Sequence, residues 1–260
     1  MRSNSILNKL SFSSRGFRLW GILFLAAGMV GQGIVQNRLL DLEGLTSQEI
    51  TMALEADPQV LKYMTITLLL QGLEAMAAPI FAMLLVEGFE NTSGLKAYIL
   101  RVLGLAVVSE IPFNLMSSGK LFDLSSRNPV FALVFCLVMM MFYEYYADGT
   151  AKSVLIRVMF TLGAAGWIAI LRVQHGLPLL IMVAVLYFFR ESRKKQVIFG
   201  IIAGLLCAFL SGPYIASPVA MLALLLYNGE RGRAENKWAN YLAYPVVTLA
   251  VGIAALFIPK

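Results

Sequence analysis

The sequence predicts an all-α fold, a polytopic helical bundle embedded in a membrane. Of the 260 residues, 59% are hydrophobic and only 14% are charged. An ordinary soluble domain carries about 25% charged residues, so this chain has too few polar groups to face water on all sides. Its long apolar runs do not alternate with polar residues as barrel strands do, which favours helices as the spanning elements.

Nine apolar segments predict about nine transmembrane helices. They cover residues 17–35, 63–86, 97–114, 129–146, 155–171, 177–189, 196–210, 216–227 and 240–258. Segments 177–189 and 216–227 are shorter than the ~20 residues that cross a ~30 Å hydrocarbon core. We expect these two either to be tilted in a thinned bilayer or to be part-helices buried in protein, next to a cavity.

The basic residues predict the orientation of the chain. With the N-terminus in the cytoplasm and alternating spans, 15 of the 21 Lys and Arg residues fall on the cytoplasmic side, as the positive-inside rule requires. Residues 1–16 are then a cytoplasmic tail, and residues 17–260 form a single transmembrane domain. A capping-box pattern within it predicts a short amphipathic helix around residues 46–57.

The same residues help to exclude other classes of protein. Lys and Arg lie at the ends of apolar segments rather than in dense runs with aromatics, so the predicted partner is the lipid bilayer and not nucleic acid. The chain has one histidine, and its two cysteines, Cys136 and Cys207, lie in separate apolar segments. This composition predicts no metal site.

One carboxylate interrupts the second apolar segment near its middle. A charged side chain at membrane depth is costly unless it is paired, protonated or hydrated, and usually marks a functional site. With Gln71 and Gln32, Glu74 is predicted to form a small polar lining that faces ligand or water. The alternative is a protonated Glu74 that hydrogen-bonds between helices.

A second polar group is predicted at the outer end of the third segment. Pro112 frees backbone carbonyls there, and the neighbouring candidate lining residues are Ser109, Glu110, Asn114 and Asn128. Arg101 is expected either to extend to the cytoplasmic interface or to line a ligand site. His175 lies in a short outer turn, where a histidine is either an interfacial residue or a base.

Several short segments of the sequence resemble segments of the TraX family and occur in the same order along the chain. They are 79–82 (PIFA), 87–89 (EGF), 109–115 (SEIPFNL), 128–133 (NPVFAL), 186–190 (LYFFR), 227–232 (YNGERG) and 244–245 (YP). The resemblance implies a multi-pass protein of a bacterial inner membrane or a Gram-positive plasma membrane, related to membrane acyltransferases. It also implies acetyl transfer from acetyl-CoA to an amine, which in the family's namesake is N-acetylation of pilin in conjugation.

The chain departs from the family where that chemistry is expected. The family typically has an Asp-His pair in its first span, where this chain has Gly28 and Met29, and a histidine after Tyr-Pro, where this chain has Val247. We therefore expect a degenerate catalytic centre and a role in membrane binding or assembly, with another membrane protein or a pilin-type peptide as partner. The alternatives are an active acyltransferase with Glu110 or His175 as base, and a small transporter or assembly subunit.

Overall fold

The computed structural model describes residues 13–40, 46–229 and 237–258, which form ten helices and no β-strand. The helices are α1 Ser14–Leu40, α2 Ser47–Ala56, α3 Pro58–Glu90, α4 Leu95–Ser118, α5 Val130–Tyr145, α6 Ala151–Ile170, α7 Gly176–Phe188, α8 Arg193–Cys207, α9 Gly212–Leu226 and α10 Lys237–Leu256. The all-helical prediction is confirmed. Most of the predicted tail, residues 1–12, lies outside the described residues.

Four helices, α1, α3, α4 and α6, are long and apolar enough to cross a membrane. The apolar helices α5, α7 and α9 are shorter, as is the stretch of α10 from Tyr241 to Leu256. Helix α7 has 13 residues, and α9 is a seven-residue α-helix with 3₁₀ turns at both ends. The chain is thus a helical membrane protein, while the count of nine spans and the orientation stay predictions.

Helix α2 is a short surface helix that precedes the long helix α3. The Thr46 side chain accepts from the Glu49 backbone N–H, and the Glu49 carboxylate accepts from the Thr46 backbone N–H at 2.7 Å. The Thr46 N–H and the Thr46 hydroxyl both donate to the Glu49 carboxylate, and these two hydrogen bonds lower the pKa of Glu49. Asp57 caps the start of α3, where Pro58 occupies the first turn without a lost hydrogen bond.

Helices α1 and α3 pack in opposite directions along a line of glycines. Gly21 faces Ile80 and Phe81, Gly28 faces Glu74, and Gly31 faces Leu70. Small residues let membrane helices approach closely where no hydrophobic effect drives them together. Within this contact, at Gly31, α1 changes from an α-helix to a π-helix that extends to Leu40, a rare form that is frequent at functional sites.

Two buried apolar clusters flank helix α3. The larger joins α3 to α5, α7, α8 and α9, and includes Met140, Met182 and Leu186. The smaller joins α1, α4 and α10 around Met29 and Phe113. A cavity lies between the helices of the two clusters.

Candidate functional site

The cavity has a volume of about 460 Å³ and is bounded by α1, α3, α4, α5, α7, α9 and α10. Its walls are mostly apolar, with the large side chains Ile22, Leu25, Phe81, Leu85, Val102 and Leu133. Ligand sites in proteins are typically apolar clefts of this size with a few well-placed polar groups. Here the polar groups are concentrated at the two ends.

One end of the cavity, which we call the basic end, carries Arg18 from α1 and Arg101 from α4. The Arg101 Nε donates to the Ala97 carbonyl at 3.1 Å, and its guanidinium lies 5.9 Å from the centre of the Tyr98 ring. No carboxylate among the described residues lies within 4 Å of the Arg101 nitrogens. The basic end is therefore suited to an anion.

The other end, which we call the dyad end, contains Glu74 and His175. The His175 Nε2 lies 3.8 Å from the Glu74 Oε1, and the two side chains are 23% and 12% exposed. Glu74 comes from the middle of α3, and His175 precedes the first residue of α7. Gly28 makes room for the carboxylate, because a Cβ at this position would overlap the Glu74 side chain.

The turn that holds His175 has an unusual backbone. Among the described residues, Arg172 and His175 alone have positive φ without being glycine, at 50° and 56°. Such residues cost about 1–3 kcal/mol each and cluster at functional sites. The turn is fixed by two hydrogen bonds to the backbone of Arg127, and by the Gln174 Nε2, which donates to the Gln32 Oε1 at 2.7 Å.

Glu110 holds the adjoining loop in place. Its carboxylate accepts from the Arg127 Nη1 at 2.8 Å and from the Asn128 Nδ2 at 2.6 Å. The Asn128 Nδ2 also donates to the Ala106 carbonyl, and its Oδ1 accepts from the Val130 N–H. Since Arg127 also binds the turn of His175 through its backbone, Glu110 supports the dyad end without lining the cavity.

The predicted site residues fall into three groups. Glu74, Arg101 and His175 line the cavity. Gln32, Glu110 and Asn128 belong to the hydrogen-bonded supports of the dyad end. The other three lie apart from the cavity. Gln71 bonds to Gln36, and Ser109 and Asn114 are both buried.

The lining residues that were not predicted from the sequence include Arg18, Tyr214 and Tyr244. Arg18 is one of the 15 basic residues that the predicted orientation puts on the cytoplasmic side. Tyr214 follows the Gly212-Pro213 step, which was the available signal of a broken helix beside a cavity. Tyr244 belongs to the Tyr-Pro segment, residues 244–245, which is one of those that resemble the TraX family.

The dyad end adjoins Gly28, one of the positions where the resemblance expects an acid–base residue. Gly28 contacts Glu74, and the neighbouring Met29 is 2% exposed, with its sulfur 3.5 Å from the Thr248 hydroxyl. Thr248 follows Val247, where a family histidine is expected. Glu74 of this chain therefore lies next to the position where the resemblance expects an Asp.

An apolar helical bundle with four helices long enough to cross a membrane, and a Glu–His pair beside an internal cavity, defines a multi-pass helical membrane protein. The sequence profile of a family described as TraX protein matches residues 52–254. The chain belongs to the TraX family. Comparisons with curated proteins and with solved structures find no match.

The dyad end can carry out proton transfer. A neutral imidazole accepts a proton, and a carboxylate beside it orients the ring and stabilises the imidazolium that forms. In the described part of the chain no group of three His, Cys, Asp or Glu residues could hold a metal ion.

Proposed function

We propose that this protein is a membrane acyltransferase that transfers an acyl group from a coenzyme A thioester, such as acetyl-CoA, to an amine. One observation carries the proposal: a Glu–His pair lies at one end of a cavity whose other end carries two arginines. Acyl transfer to an amine needs a base at the reacting carbon, and a coenzyme A donor needs cations for its phosphates.

The basic end suits the head of the donor. Arginine binds phosphate through several N–H groups in a fixed planar arrangement, and Arg18 and Arg101 come from adjacent helices. The predicted orientation puts this end in the cytoplasm, where coenzyme A thioesters are available. The sequence alone gave Arg101 two alternative roles, and its position in the cavity favours ligand binding.

The apolar walls suit the arm that joins the head of the donor to its thioester. Arg18 and Gly28, which faces Glu74, are ten residues apart on α1, a rise of ~15 Å along a helix. A donor that spans this depth presents its thioester at the dyad end while its phosphates stay at the basic end.

His175 acts as the general base and Glu74 as its partner. His175 takes a proton from the acceptor amine as the nitrogen attacks the thioester carbonyl, and the Glu74 carboxylate stabilises the charged imidazole. Glu110, the other candidate base, is held by Arg127 and Asn128 away from the cavity. We propose an amine of another membrane protein or of a pilin-type peptide as the acceptor.

The proposal replaces the expectation of a degenerate centre, which was based on the residues at positions 28, 29 and 247. Those positions lack the family's histidines, but His175 and Glu74 supply the same kinds of group in their vicinity. A non-catalytic binding role remains an outcome of the test below, since it predicts that acetyl-CoA binds without turnover.

The test is acyl transfer by the purified full-length protein in lipid nanodiscs. Radiolabelled acetyl-CoA is the donor and phenethylamine is the probe acceptor. We expect turnover by the wild type, and its loss in His175→Ala and Glu74→Gln. The matched control is Glu90→Gln, the same change on the same helix at a carboxylate that pairs with Arg190 outside the cavity. Equal turnover in all four proteins would refute the proposed base.

A further inference from the structure

Tyr214 is a buried tyrosine at the dyad end whose hydroxyl bonds to none of the described residues. Its side chain is 2% exposed and lines the cavity, and its ring centre lies 5.8 Å from that of His175. Within the described residues its hydroxyl makes no hydrogen bond, whereas the Tyr143 hydroxyl lies 2.6 Å from the Thr161 hydroxyl and Tyr227 bonds to Glu87. The oxygen is not one of the fully enclosed unpaired atoms of the described residues, so the hydroxyl is open to the cavity and is available to donate to a ligand there.

The start of helix α9 fixes the backbone that carries Tyr214. Gly212-Pro213 opens a 3₁₀ turn, and the Tyr214 N–H donates to the Ser211 carbonyl at 3.0 Å. Two residues further on, Ala216 faces Gly72 of helix α3. A Cβ added at Gly72 would lie 3.7 Å from the Ala216 Cβ. Because Gly72 is two residues from Glu74, the turn is held at the depth of the Glu–His pair.

We infer that Tyr214 is a second catalytic residue, whose hydroxyl donates a hydrogen bond to the carbonyl oxygen of the acyl donor. The inference rests on the proposed acyl transfer and adds a group to the same site. The group that binds the Tyr214 hydroxyl is then the carbonyl oxygen of the thioester. A tyrosine hydroxyl beside a base can stabilise the negative charge that develops on this oxygen during the reaction.

The transfer uses only the amine, the thioester, His175 and Tyr214. The amine nitrogen forms a bond to the thioester carbon while His175 accepts the amine proton. The carbonyl electron pair moves to oxygen, where the Tyr214 O–H donates to the oxyanion. The carbonyl then re-forms, the carbon–sulfur bond breaks, and the thiolate leaves and takes the proton from His175. The products are an amide and free coenzyme A, and Tyr214 keeps its own proton throughout.

The inference is tested with Tyr214→Phe, which keeps the ring and removes only the hydroxyl. Acyl transfer from labelled acetyl-CoA to phenethylamine is measured as separate kcat and KM values. Removing one donor to an oxyanion lowers kcat by ~100-fold or more, and we expect this fall with an unchanged KM for acetyl-CoA. Tyr143→Phe, which removes a hydroxyl outside the cavity, is expected to keep the wild-type kcat.

A second substitution separates catalysis from packing. Difluorotyrosine at position 214 has a more acidic hydroxyl on a ring of nearly the same size, so kcat should remain far above that of Tyr214→Phe. Wild-type kcat in Tyr214→Phe, together with loss of turnover in His175→Ala, would overturn the role of Tyr214 alone. Absence of turnover in the wild type would overturn the proposed function and this inference with it.

Discussion

Replacing Gly28 with alanine is expected to separate two helices where they meet at the dyad end. The new Cβ would overlap both the Cβ and the carboxylate of Glu74. Since a Cβ is fixed by its backbone, no change of rotamer removes the overlap, and α1 must move away from α3. Overpacking costs about 1–3 kcal/mol, against the ~1 kcal/mol that alanine gains over glycine within a helix. The balance is a loss of up to about 2 kcal/mol in the free energy of unfolding.

The matched control is Gly104→Ala in helix α4, where an added Cβ meets no atom within 4 Å. This change keeps the helical gain without the overlap, so we expect unchanged or higher stability. Thermal unfolding followed by tryptophan fluorescence measures both variants, and acyl transfer shows whether Glu74 has moved. If Gly28→Ala unfolds at or above the temperature of Gly104→Ala, the described contact between α1 and α3 is wrong.

Three further predictions concern the basic end and the supports of the dyad. Arg101→Ala removes a cation for the donor's phosphates, so the KM for acetyl-CoA should rise by about tenfold or more with little change in kcat. Glu110→Gln removes the charge that holds Arg127 and should lower the free energy of unfolding by about 1–2 kcal/mol, measured by thermal unfolding; an unchanged value would contradict the loop's dependence on this pair. Arg172→Gly relieves a positive φ and should raise that free energy by about 1 kcal/mol, whereas a decrease would contradict the strained turn.

The membrane fold was predictable because it depends on composition and on the length of apolar runs. The cost of a charge in hydrocarbon likewise marked Glu74 as a site residue. The sequence did not show that Glu74 meets His175, since the contact joins distant helices and no local spacing encodes it. The positive φ of His175, on which the direction of its side chain depends, is only weakly indicated by the sequence, because a few per cent of residues other than glycine adopt it.

Glu110 has a structural role that its sequence neighbourhood did not indicate. A carboxylate beside a proline was a reasonable candidate base, but the structure pairs it with Arg127 and Asn128 from the following loop. Those two residues stand directly before helix α5, and only the packing of α4 against α5 brings them to Glu110. A candidate acid or base therefore needs its partners identified before a role in proton transfer is assigned.

The central claim is that Glu74 and His175 act as one unit, and a double-mutant cycle on kcat/KM tests it most directly. Turnover of labelled acetyl-CoA is compared in the wild type, Glu74→Gln, His175→Ala and the double variant. Residues that act together are strongly non-additive, so the double variant should be little worse than His175→Ala. Losses that multiply, so that the double variant falls by the product of the two single effects, would contradict the pair as the catalytic unit.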